Sequence, residues 1–422
     1  MKKLTRIFII SFLLLLLMYV TNITSIPESV MLLQGEHYTV KTLLGINITT
    51  EEENYETIQV SSDLSESATK VGKINYKLNL FGMVPLKEIT VNVIPKTYVV
   101  PLGDAVGLKL YTSGVLVVGM GEIEGTGNVK YKPYENSGIE EGDRIIAINN
   151  NTVTCTADLI NEVNKSKGNS VNVQYIRDED TIETSIIPAK GNDNKYKLGL
   201  WVRDAAAGVG TVSFYEPETK TFAALGHGIQ DIDTGQLLKI AKGDFVTTKI
   251  ISVTKGKKGT PGKIQGSIEN STTIGKVGKN TEFGVFGTLN NTTTLNINLN
   301  DAIEVASRDE IKEGKATIIS TVEEGKKKEY EIEIQKIYRN NNENNKSMLV
   351  KVTDKELMEK TGGIVQGMSG SPIIQNNKLV GVLTHVLVGE PETGYAVFAD
   401  LMIKQSREVE NWKNNKIDSK KS

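Results

Sequence analysis

Cysteine, histidine and the large aromatics are scarce in this chain, and each scarcity narrows what it can be. There is one cysteine, Cys155, in 422 residues, so no internal disulfide framework can form, and no Cys/His cluster surrounds it to bind zinc. It reads as a small buried or half-buried residue rather than a catalytic thiol. Only three histidines occur, His37, His227 and His385, which leaves few bases able to work near neutral pH. Two tryptophans and nine phenylalanines against 39 glycines lean toward turn-rich β structure. Excess charge is missing too: a formal net charge of −2 gives no footprint for nucleic acid. Nothing in the sequence requires a metal or a cofactor.

Long apolar runs are absent after the first residues. Lys2, Lys3 and Arg6 precede the run Ile7 to Val20, a charged segment followed by an apolar one, as in export signals. The run is shorter than the roughly 20 residues of a full membrane span, and no A-x-A cleavage site follows it. Residues 1–27 are therefore expected to be a signal peptide or a membrane anchor, with both options open. The chain from about residue 28 is expected at the extracytoplasmic face of a membrane.

Residues 28–100 alternate with period two, as in Ile74 to Leu80 and Ile89 to Val93, which predicts half-buried strands. His37 sits here as an ordinary surface histidine. The stretch 101–191 carries Ser137-Gly138-Ile139-Glu140-Glu141-Gly142-Asp143-Arg144-Ile145 and ends its run in Asn149. This resembles the glycine-aspartate turn of PDZ domains, and a helix capped by Thr156 with the stripe Leu159, Ile160 and Val163 is expected after it, stopped by Gly168. PDZ domains accept an extended peptide as an added strand. By resemblance, Gly114, Val115, Leu116 and Val117 would supply that edge.

After the polar linker near residues 191–195, short strands and glycine turns recur through 196–422, with a core to about 405, predicting a β-barrel or sandwich. Lys326, Lys327 and Lys328 read as a solvated turn, residues 340–345 as a hairpin loop, and the segment after Ala399 as helix-permissive. The decisive stretch is Gly362 to Val386, a glycine-rich turn with two serines followed by two apolar strands around Gln375 to Lys378. Glycines flanking Ser369 let successive amides converge on one point, as an oxyanion hole needs. Gly367 and Ser369 would be the donors, and Ser371 would support the turn. The same residues also suit a Ser/Gly turn without chemistry.

A serine hydroxyl needs a base, and two histidines remain for it. His227 stands between Gly226 and Gly228, and His385 ends the strand after Ser369. Gly367-Met368-Ser369-Gly370-Ser371-Pro372 resembles the nucleophile hairpin of trypsin-like peptidases. With Leu198 to Asp204, Ala206 to Thr211, Phe214 to Pro217 and Ala224 to His227, it is similar to the SpoIVB peptidases of endospore-forming bacteria. That resemblance implies a mainly β chain of N-terminal β segment, PDZ domain and trypsin-like β-barrel serine peptidase domain. It implies Ser369 as nucleophile, His227 as base and Asp354 as acid. Asp231, Asp233 and Asp244 stay open as substitutes for the acid, which lies unusually close to the serine in sequence, and His385 as second choice of base. It further implies an exported endopeptidase of endospore formation that cleaves itself. Its partner would be a membrane-bound regulator of an intramembrane metalloprotease, met between the forespore and mother-cell membranes, and cleavage there would activate a sigma factor. Met368 stands where trypsin has an aspartate, so no zymogen-type ion pair can form. The competing reading is a PDZ-based binding or scaffold protein with a non-catalytic barrel.

Overall fold

A computed structural model of the chain describes residues 2–34, 39–40, 42–51, 57–60, 71–127, 129–290, 292, 295–339 and 346–407. His37, part of the acidic 49–56 loop and the 340–345 loop lie outside the described residues. The chain divides into two compact units, 1–98 with 304–312, and 99–303 with 313–422.

The first unit opens with the helix Lys2–Ser25. Its apolar stretch Thr5–Ser25 counts 21 residues at mean hydropathy 2.3, longer than the apolar run alone suggests because Thr21 to Ser25 continue the helix. At 1.5 Å per residue this reaches about 31 Å, enough to cross a bilayer core. A five-stranded sheet follows in the order Ser29–Leu33, Val84–Ile94, Gly72–Leu80, Ile46–Glu51, Thr57–Val60. Its first pair is parallel and the others antiparallel. The period-two pattern has its physical cause here: Tyr76, Leu78, Ile89, Val91 and Val93 are buried in one core while the residues between them are less so.

Two antiparallel barrels form most of the second unit. In the first, Ala105–Met120 pairs with Ile240–Thr247, then Thr273–Thr281, Gly284–Leu289, Thr221–Ala224 and Leu200–Glu216, which returns to Ala105–Met120. Leu108, Val212, Phe222, Phe245 and Val285 fill its interior, and the Phe222 and Phe245 rings meet edge to face at 4.3 Å. The second runs Gly314–Glu323, Lys326–Ile337, Met348–Val352, Glu390–Phe398, Lys378–Leu387, Pro372–Gln375 and back to Gly314–Glu323. Within each barrel, closure pairs every described strand on both sides. Lys326 to Lys328 are not a turn: they begin a strand, and the bend falls on Glu324 and Gly325. Lys327 and Lys328 are held there by Asp104 at 2.8 Å and Glu356 at 2.7 Å.

The strands Ala105–Met120 and Leu200–Glu216 run antiparallel over nearly their whole length and leave the first barrel together. Beyond it they join Arg144–Ile148, Val171–Arg177 and Asp180–Ile186. The helix Thr156–Lys165 packs Leu159 and Val163 onto this sheet with Val115, Val117, Ile145 and Val173. Cys155, not Thr156, is the helix N-cap residue. Buried Asp143 accepts from Glu140 N at 2.8 Å and pairs with Arg177 at 2.7 Å, so the glycine-aspartate turn is fastened to a strand distant in sequence.

Candidate active site

His227 comes from the first barrel. The buried strand Thr221–Ala224 delivers it through Leu225 and Gly226, both left-handed with φ of 73° and 69°. Leu225 is a non-glycine residue at positive φ, a conformation kept only where the surroundings enforce it. A side chain at Gly228 would lie 2.6 Å from the Thr281 carbonyl oxygen. The ring Nδ1 lies 2.9 Å from the Gly228 carbonyl. A carbonyl oxygen can only accept, so Nδ1 carries the proton and Nε2 is left as a bare lone pair. Burial holds the His227 pKa below its usual 6.5, opposed by the Gly228 carbonyl. His385 lies beside it with ring centroids 4.8 Å apart at 34°. Burial first, then His227 and Lys346, push its pKa down to about 4.

Ser369 comes from the second barrel. Its turn contains Gly367 and Gly370 at φ of 104° and 106°, and a side chain on Gly370 would meet the Thr211 carbonyl oxygen at 2.0 Å. Within the turn Met368 N donates to Val365 O, Ser371 N to Met368 O and Gly370 N to Leu383 O. The amides of Gly367 and Ser369 have no protein acceptor among the described residues. Ser369 Oγ donates to the Thr384 carbonyl at 2.6 Å. Ser371 is fully buried and bonds Ser320 Oγ at 3.0 Å and Met368 O at 2.8 Å. His227, Gly367, Ser369, Thr384 and His385 line one cleft of about 1270 Å³, walled by Val209, Leu225, Ile364, Val386 and Tyr395.

Residues 194–403 match the family model described as SpoIVB peptidase S55, and residues 106–187 match the PDZ domain model. The chain belongs to the SpoIVB peptidase family. It is a peptidase with a PDZ domain and a mainly β fold. Among solved structures it is similar to the PDZ domain of an SdrC-like protein from Listeria monocytogenes, with 18% identity, 21% of this chain and 87% of that chain covered, and a TM-score of 0.17. It is also similar to the Rv3671c protease in its inactive form, with 12% identity, 48% and 84% covered, and a TM-score of 0.26.

Three expectations for a SpoIVB peptidase meet a different geometry. Asp354 is not brought to His227. It caps the helix Lys355–Thr361, with Oδ1 accepting from Leu357 N at 2.8 Å and Oδ2 from Glu331 N at 3.4 Å. The reason is local: the first amides of a helix lack partners, and a carboxylate just before them fills that need. The substitutes are engaged elsewhere as well. Buried Asp231 pairs with Arg203, Asp233 meets the same guanidinium at 2.6 Å, and Asp244 meets Lys276 at 2.5 Å.

The strand at Gly114 to Val117 offers no free edge. Val115 and Leu116 pair with Ile145 and Arg144 on one side, and Leu116 and Val117 with Arg203 and Val202 on the other. Leu200 to Arg203 is instead the outer strand, with no strand on its far edge among the described residues. That edge faces the helix Thr156–Lys165 across an apolar groove of about 570 Å³ lined by Leu159, Ile160, Val163, Leu198 and Trp201. Tyr196 N donates to Asn164 Oδ1 at 3.0 Å and Thr156 N to Asp204 Oδ2 at 2.7 Å, fixing the groove's two ends. The sequence signal for it was Leu198-Gly199-Leu200, a left-handed glycine of φ 75° between apolar residues at a strand entrance. Among the described residues no cluster of three or more His, Cys, Asp or Glu side chains could hold a metal.

Proposed function

We propose that the chain is an exported serine endopeptidase with Ser369 as nucleophile and His227 as general base. The observation that carries this is the meeting, in one cleft, of Ser369, a neutral His227 and two amides, at Gly367 and Ser369, that have no acceptor among the described residues. In the reaction Ser369 Oγ rotates from the Thr384 carbonyl, loses its proton to His227 Nε2 and attacks the scissile carbonyl. The Gly367 and Ser369 amides receive the oxyanion, each worth about 3 to 4 kcal/mol. The imidazolium returns the proton to the leaving amine, and water repeats the sequence on the acyl-enzyme.

The Gly228 carbonyl takes the orienting part of the triad acid. By accepting from Nδ1 it fixes the productive tautomer and steadies the imidazolium, as partners of a histidine's second nitrogen do. Membership of the SpoIVB family supports the wider role: cleavage of a membrane-bound regulator of an intramembrane metalloprotease during endospore formation, self-cleavage, and work in the space between forespore and mother-cell membranes. The apolar helix Thr5–Ser25 fits anchorage or export. The groove beside Leu200 to Arg203 supports a PDZ-bound peptide segment as partner.

Ser369→Ala tests the reading. It is expected to abolish self-processing and cleavage of denatured casein on a gel while leaving the circular dichroism spectrum and melting temperature unchanged. Undiminished cleavage would remove Ser369 as the nucleophile, and a wild-type chain that cleaves neither itself nor casein would leave the binding-protein reading in its place.

A further inference from the structure

We infer that Thr211 is a positioning residue that clasps the nucleophile turn to the histidine turn; the inference rests on the peptidase reading. Thr211 is fully buried in the strand Leu200–Glu216. Its backbone N–H donates to Ser369 O at 3.1 Å, and its Oγ1 donates to Gly367 O at 2.7 Å. These two bonds hold the carbonyls on either side of Met368, and a peptide's carbonyl and amide are fixed together by its planarity. The Gly367 carbonyl belongs to the peptide lying between the two amides that would receive the oxyanion. Fixing it, together with the Met368 amide in its plane, leaves only the φ and ψ of Gly367 and of Met368 between this peptide and the two donors, and so limits where both can point.

The third polar group of Thr211 reaches the other half of the site. Its carbonyl accepts from Leu225 N at 3.1 Å, and Leu225 is the positive-φ residue two before His227. One residue, through its side chain and the two peptides that flank it, therefore joins the turns that bring nucleophile and base from different barrels. Gly370 makes the approach possible, since a Cβ there would sit 2.0 Å from the Thr211 carbonyl oxygen and 2.7 Å from Leu225 N. Met368, fully buried and uncharged, cannot order the turn through an ion pair. The threonine hydroxyl supplies that ordering from the neighbouring strand.

The test follows fluorophosphonate labelling of the full chain in detergent, which phosphonylates the serine with loss of fluoride and uses the same amides. Thr211→Val keeps shape and backbone bonds and removes only the hydroxyl. It is expected to slow the saturated labelling rate by about 10- to 100-fold, the scale of a misplaced oxyanion donor, with half-saturating probe concentration and pH midpoint unchanged. Thr211→Ser is expected to restore the rate. A valine variant labelled at the wild-type rate, a serine variant as slow as the valine one, or a valine variant that does not fold overturns the clasp. Wild-type chain that takes no label, like Ser369→Ala, overturns the peptidase reading itself and the clasp's role with it.

Discussion

The proposed catalytic cleft and the proposed peptide groove of the PDZ domain share the strand Leu200–Glu216, yet they are built on different principles. The cleft places a few polar atoms: a lone pair on His227, a hydroxyl on Ser369 and two amides in a turn that Thr211 holds. Such a site is sensitive to shifts well under an ångström in backbone it does not expose. The groove places area, with Leu159, Val163 and Leu198 below and Trp201 68% exposed at its lip, beside a strand edge that can take another. A peptide strand proposed to add there would gain affinity from main-chain bonds and selectivity from the apolar pockets beside it. Chemistry and recognition can therefore be damaged separately, although one strand serves both.

Removing a reacting group should separate them most. His227→Ala is expected to lower fluorophosphonate labelling by about 10⁴- to 10⁶-fold, with the groove still binding peptide. A His227→Ala chain that keeps more than a tenth of the wild-type rate would pass the base to His385. The next effect is in pH. The His227 ring is uncharged above its pKa, which burial places below 6.5, so the labelling rate is full at higher pH and falls about tenfold per unit below that lowered value. An acid limb centred above 6.5 would contradict a buried neutral base.

The groove predicts a reversed pattern. Trp201→Asp should slow self-processing on an immunoblot by about 10-fold, as loss of an aromatic anchor does, and leave labelling of Ser369 by the small probe unaltered. Equal loss of both would join the two sites into one. A charge at Val115 is a poorer probe, because that side chain is fully buried and the change would cost folding. The smallest effect belongs to Asp354→Ser. Serine caps helices about as well as aspartate, so melting temperature and labelling should both stay near wild type, whereas loss of a triad acid costs about 10⁴-fold.

Local patterns were legible where the chain decides locally. The hairpin around Ser369 forms as its residues suggest, and its turn falls on Asn376 and Asn377, both at positive φ as a tight hairpin requires. The PDZ helix and its closing strands follow their apolar stripes. The groove had a sequence mark in Leu198-Gly199-Leu200, but which strand edge stays open was not legible, because that depends on pairing Val117 with Val202, far away in the chain. Asp354 stood just before Lys355-Glu356-Leu357, where it serves a helix start as well as it would an imidazole, and only the fold chooses between them. In the sequence Thr211 only ended the family-like segment Ala206 to Thr211. Its role appears only once Gly370 lets two backbones meet.

The most direct measurement is mass-spectrometric mapping of the fluorophosphonate adduct on the wild-type chain, repeated with His227→Ala. The account predicts one adduct, on Ser369, that is lost from the His227→Ala chain. An adduct on another residue, or one on Ser369 that forms as fast without His227, would contradict it.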